Sequence, residues 1–137
     1  MKQAASIEIM AEPSSGLHAK GPGAHLVQAM INAAAKDEIV VHAVRRNISV
    51  LEGSGGNIAV LTGQDGKLLV EAGFAVSQPR IANALASINT DPIKHLINTH
   101  WHTDHTDGNA WLHAAGAEIT AHENTRKRLS VAQQRNR

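Results

Sequence analysis

The chain has 137 residues, of which 42% are apolar and 18% charged, with a net charge of +1, 11 glycines and 4 prolines. That is the length of one ordinary domain with enough apolar content for a core, and it excludes a disordered or collagenous chain. There is no cysteine, which excludes disulfides and thiolate sites and leaves His and carboxylate as the only holders of a transition metal.

Residues 1–23 read as a tail ending in the breaker cluster Gly21-Pro22-Gly23. Ser6 and Glu8 interrupt the apolar start, so it fails as a secretory signal, and no run approaches a membrane span. The expectation is a cytoplasmic protein with no membrane partner. From Ala24 to Lys36, Leu26, Met30 and Ala33 recur at helical spacing, while Asp37 and Glu38 oppose the helix dipole, which predicts a marginal helix. The period then changes to two. EIVVHAV, NISVLEG, NIAVLTG and KLLVEAG read as strands, the last two joined through the hairpin signal Gln64-Asp65-Gly66. GSGG at 53–56 lacks the Lys and hydroxyl residue of a phosphate loop and reads as a tight turn.

SQPRIANALASIN places Ile81, Leu85 and Ile88 on one helical face, with Ser77 as its N-cap. PIKHLINT reads as a strand, GNAWLHAA as a helix capped by Asp107 and ended by Gly116, AEITAH as a strand and ENTRKRLSVAQ as a last helix. Antiparallel strands followed by helix–strand–helix–strand predict an α/β layer structure. Arg126, Lys127, Arg128, Arg135 and Arg137 form a basic end without interleaved aromatics. It reads as a solvated helix end, not a nucleic-acid surface.

The stretch LINTHWHTDHTDGN carries His100, His102, Asp104 and His105. His18, His25, His42, His95 and His113 are scattered and form no comparable group. If the chain is still extended at His100 and His102, both side chains point to one side and can share an ion. A turn beginning at Thr103 would let Asp104 and His105 enter from another direction and hold a second. Imidazole and carboxylate suit Zn²⁺, one or two ions, with Fe²⁺ or Mn²⁺ as alternatives. Trp101, between the two histidines, is expected to face away and pack.

These residues resemble the metal-binding motif of the metallo-β-lactamase superfamily, the αββα-sandwich metallo-hydrolases. GGNIAVLTGQDGKLLVEAGF is similar to the paired strands before that motif, and AEITAHENT to the strand and helix start after it. The resemblance implies an α/β fold, the N-terminal half of such a sandwich. It divides the chain into a tail and marginal helix at 1–37 and a truncated metallo-β-lactamase-like domain at 38–137. It assigns His100 and His102 to a first metal and Asp104 and His105 to a second, with Asp104 also the catalytic group that orients or deprotonates the attacking water. The implied activity is metal-dependent hydrolysis of a small ester, amide, thioester or phosphoester. Glu71 stands where family members commonly carry Asp, at a position expected to hydrogen-bond near the ligands. Family members draw further His and Asp ligands from downstream, whereas beyond Ala115 this sequence has one His, His122, and no Asp. The alternative is therefore an inactive fragment with at most weak metal binding. A lone half would also expose a sheet face, inviting self-association.

Overall fold

The computed structural model describes residues 5–6 and 22–131. A two-residue strand β1 (Ala5–Ser6) precedes helix α1 (Pro22–Ala34). Four β-branched runs follow as β2 (Val40–Arg45), β3 (Ile48–Glu52), β4 (Ile58–Gly63) and β5 (Gly66–Val70). They pair antiparallel in succession, and the last hairpin closes on Gln64-Asp65 between paired Gly63 and Gly66. A 3₁₀ turn (Ala75–Ser77) leads into α2 (Gln78–Ile88) and then β6 (Ile93–Asn98). Two short helices, α3 (Thr103–Thr106) and α4 (Asn109–Ala114), lead to β7 (Glu118–Ala121), and α5 (Glu123–Leu129) follows.

The strands form one seven-stranded sheet in the order β1-β7-β6-β5-β4-β3-β2, with β5, β6 and β7 mutually parallel. Parallel neighbours need crossovers, and the helical segments between them supply these. Strand β1 was not anticipated in the tail. It adds antiparallel to the outer edge of β7.

Register determines which side chains share a face. Val60, Leu69, Leu96 and Ile119 are cross-strand partners in one buried row. Ile81 and Leu85 of α2 and Leu112 of α4 belong to the same cluster. Each of these side chains contributes roughly 1.5–3 kcal/mol by burial. The neighbouring row, Ala59, Val70, Ile97 and Thr120, faces the other way and is only half-buried. Ile48 and Leu61 beside it are about two-fifths exposed.

Two expected helix caps are used differently. Ser77 occupies the N-cap position of α2 without capping it; its hydroxyl donates to the Ala34 carbonyl and ties α1 to the domain. Asp107 does not cap α4, whose N-cap is Gly108; its carboxylate accepts from the Ala75 backbone N–H at 2.8 Å. In both cases a long-range partner outcompetes the local one.

Lys67 is 2% exposed, and its Nζ donates to the Asn89 carbonyl at 2.9 Å and to that of Asp91, holding the α2–β6 connection on β5. Burial lowers its pKa from 10.5, while the Asp91 carboxylate acts in the opposite direction. Between the lowered folded value and 10.5 the unfolded chain binds more protons than the folded one, so stability increases with pH. The chain has no Tyr or Cys to obscure this. The urea midpoint is expected to rise as pH approaches 10.5, and Lys67→Met should flatten the rise. An equal rise in the variant would assign it to another group.

Candidate metal centre

The site forms where β5 and β6 end side by side. Their parallel register pairs Val70 with Ile97, so Glu71 arrives beside Asn98 and Thr99. Glu71 N donates to the Ile97 carbonyl at 2.9 Å, and its backbone then enters the left-handed region at φ 75°. Such a conformation is uncommon for a non-glycine residue and ends the strand. Its carboxylate is drawn inward: Oε1 accepts from Thr99 N at 3.1 Å and from Thr99 Oγ1.

Thr99 Oγ1 also lies 2.9 Å from His100 Nδ1. A hydroxyl has one proton. If Thr99 gives it to Glu71, it can only accept from His100, which puts the imidazole proton on Nδ1 and the lone pair on Nε2. An oriented imidazole of this kind is what a metal ligand requires.

His102 occupies the N-cap position of α3, and its carbonyl accepts from His105 N, Thr106 N and Thr106 Oγ1. This single helical turn, where a simple turn was expected, carries Asp104 and His105. His105 presents its two nitrogens to two carboxylates: Nε2 is 3.2 Å from Asp104 Oδ2, and Nδ1 is 3.6 Å from Glu71 Oε2. The His100 ring lies 4.6 Å from that of His102 and 4.1 Å from that of His105, centroid to centroid.

All four predicted residues therefore lie in one loop, but not equally deep. His100, Asp104 and His105 are half-buried and His102 is exposed. Among the described residues, the group whose ligand atoms all lie within 4.8 Å of one another is Glu71, His100 and His105. The sequence pointed to Glu71 only as a neighbour of the ligands; the register of two strands brings it into the cluster.

Several bonds hold the loop in place. Ala72 N donates to the His105 carbonyl and Gly108 N to that of Gly73, both at 2.9 Å. Buried Asn98 and Asn109 exchange amide hydrogen bonds of 3.0 and 2.8 Å. The GSGG turn packs against the site: a Cβ on Gly56 would fall 2.8 Å from Cε1 of His105. Glycine there lets the backbone approach the imidazole directly.

Trp101 is half-buried, edge-on to His102 at 4.8 Å, with the Arg128 guanidinium 5.1 Å from its ring centre. Exposed His122 accepts from Asn124 N at 3.2 Å as the N-cap of α5. Arg126 and Lys127 pair with Glu123, whose pKa is held below the ordinary value by the Arg126 hydrogen bonds first and then by the nearby positive charges. His18, Arg135 and Arg137 lie outside the described residues.

The metallo-beta-lactamase superfamily profile matches residues 51–133. No curated protein matches the chain. Among solved structures, a metallo-β-lactamase of Cronobacter sakazakii is similar at 25% identity and a TM-score of 0.64, over 74% of this chain and 40% of its own. MEM-A1, a subclass B3 metallo-β-lactamase from a soil metagenome, is similar at 23% identity and a TM-score of 0.64, over 72% of this chain and 39% of its own. LRA-12, a class B3 di-zinc metallo-β-lactamase from an Alaskan soil metagenome, is similar at 22% identity and a TM-score of 0.57, over 64% and 34%. The chain thus spans about two-fifths or less of the length of these structures. A profile match over more than half of the chain, on a sheet whose β6 runs into the His-rich loop, establishes the lineage: the chain belongs to the metallo-β-lactamase superfamily.

Proposed function

We propose that this chain carries the metal-binding loop of a zinc-dependent hydrolase acting on a small ester, amide, thioester or phosphoester. The convergence of His100, His102, Asp104 and His105 at the end of β6 is the observation that carries this reading. The donor set suits zinc: three imidazoles and a carboxylate, with no thiolate. The buried Nδ1 of His105 and Oε2 of Glu71, each without a hydrogen-bond partner, fit a group that completes their coordination.

His100 and His102 would hold one ion, and Asp104 and His105 a second. When bound, such an ion supplies Lewis acidity that brings the pKa of a water toward about 7. With the Thr99 hydroxyl proton given to Glu71, the His100 proton would sit on Nδ1 and leave Nε2 free to ligate. Asp104 accepts the proton of the attacking water or orients it. The half-buried floor of the loop limits solvent around the reacting group, and the exposed His102 side leaves the substrate's path open.

The test is elemental analysis of the desalted protein together with turnover of activated ester, thioester and phosphodiester substrates. Zinc is expected to be retained, with turnover that Asp104→Asn lowers about a hundredfold. Zinc without turnover in the wild type would favour the alternative, a metal-binding portion without activity. Absence of zinc binding would overturn the metal-site reading.

A further inference from the structure

We infer that Arg128 anchors an anionic group of the substrate, a carboxylate or phosphate set apart from the bond that is cleaved. The inference rests on the proposed function and adds a substrate class to it. Strands β6 and β7 are parallel neighbours, so the His-rich loop after β6 and helix α5 after β7 leave the sheet at the same end. Arg128 lies in the last turn of α5, and its guanidinium sits over the Trp101 ring, 5.1 Å from the centroid. The Trp101 ring in turn lies 4.8 Å from that of His102. One indole therefore separates a held positive charge from the exposed imidazole of the cluster.

Three cations stand in the last turn of α5, and they are used differently. Arg126 and Lys127 turn back to Glu123, at 2.8 and 3.8 Å. Arg128 turns instead to the residue between His100 and His102. Contact with Trp101 restricts a long side chain that would otherwise sample many rotamers, so less entropy is lost when an anion binds. It also engages the face of the guanidinium. The N–H donors lie in the guanidinium plane, in a fork that matches two oxygens of a carboxylate or phosphate. Arg128 and His102 are both exposed, whereas His100, Asp104 and His105 are half-buried. The charge thus stands on the open side of the site, where a substrate held at the cluster would extend.

The experiment is isothermal titration of the zinc-loaded full chain with acids of matched length, adipate against hexanoate and suberate against octanoate. The two members of a pair present the same first carboxylate to the cluster and differ in the second. Wild type is compared with Arg128→Gln, Arg128→Lys and Lys127→Gln, the last removing a neighbouring charge that pairs with Glu123. In at least one pair the diacid is expected to bind about fivefold more tightly than the monoacid, the upper end for an exposed ion pair. Arg128→Gln should abolish that advantage and leave monoacid affinity within about twofold of wild type. Arg128→Lys should keep part of it, because a point charge lacks the fork. Lys127→Gln should keep all of it. Phosphonohexanoate, with phosphonate in place of the second carboxylate, separates the two anions: whichever ligand loses more in Arg128→Gln identifies the group, and either result supports the anchor. No diacid advantage in the wild type, or one that survives Arg128→Gln, would overturn the inference while leaving the proposed function standing. An equal loss in Lys127→Gln would assign the effect to general charge and overturn it as well. So would an equal fall in monoacid and diacid affinity in Arg128→Gln, which would reduce Arg128 to a support for Trp101. A wild type that takes up no zinc would overturn both readings.

Discussion

Gly108→Ala should cost about 3 kcal/mol of folding stability, the upper end of what one inserted methyl usually costs. The cause is space, not backbone freedom: Gly108 has φ −77° and ψ −3°, open to any residue. A Cβ there would fall 2.4 Å from the Ala72 carbonyl oxygen and 2.9 Å from Trp111 Nε1. The first neighbour is backbone and cannot rotate away. Separating the two segments stretches the bonds that join them, Gly108 N to Gly73 O and Ala72 N to His105 O. The same displacement moves His105, so metal binding should weaken together with stability. Gly23→Ala is the matched control, because it lies in α1 and its added Cβ meets nothing within 4 Å. It should be neutral or stabilising by up to about 1 kcal/mol. Urea denaturation of both variants decides the matter. A Gly108→Ala loss below about 1 kcal/mol would mean that the loop yields without strain.

The legibility of this fold follows how local each signal is. Strands β2 to β5 could be read because period-two runs and Gln64-Asp65-Gly66 are contained in a few residues. The clustering of His100, His102, Asp104 and His105 could be read because they fall within one short loop. Ser77 and Asp107 were expected as caps because local propensity favours them, but Ala34 O and Ala75 N offer tertiary partners that propensity does not register. Strand β1 was missed because two residues carry no periodicity, and its partner Ala121 is far along the chain. The packing of Glu71 against His100 and His105 depends on the β5–β6 register, a non-local fact that no window of sequence contains. Its one trace was the Glu where Asp is common.

Removing either member of the Asn98–Asn109 pair should cost about 3 kcal/mol, because the partner amide loses both its donor and its acceptor in a buried position. Asn98 is 2% and Asn109 6% exposed, so water cannot readily replace the lost group. Asn98 Nδ2 also approaches the His105 carbonyl at 3.4 Å, which makes the pair a junction between β6, the His-rich loop and α4. The two alanine substitutions should not add. Once Asn98 is gone most of the contribution of Asn109 is gone too, and a coupling energy of about 2–3 kcal/mol is expected in the double-mutant cycle. Replacing both with leucine should recover part of the stability, since matched apolar groups leave no polar atom unsatisfied. It should not recover zinc affinity, because leucine fills the space without specifying where the loop sits. Equal recovery of stability and zinc affinity would show that the pair fills volume only. Loss of affinity in a well-folded leucine pair would show that these two amides aim His100 and His105, and that hydrogen-bond direction, more than packing, maintains the metal centre.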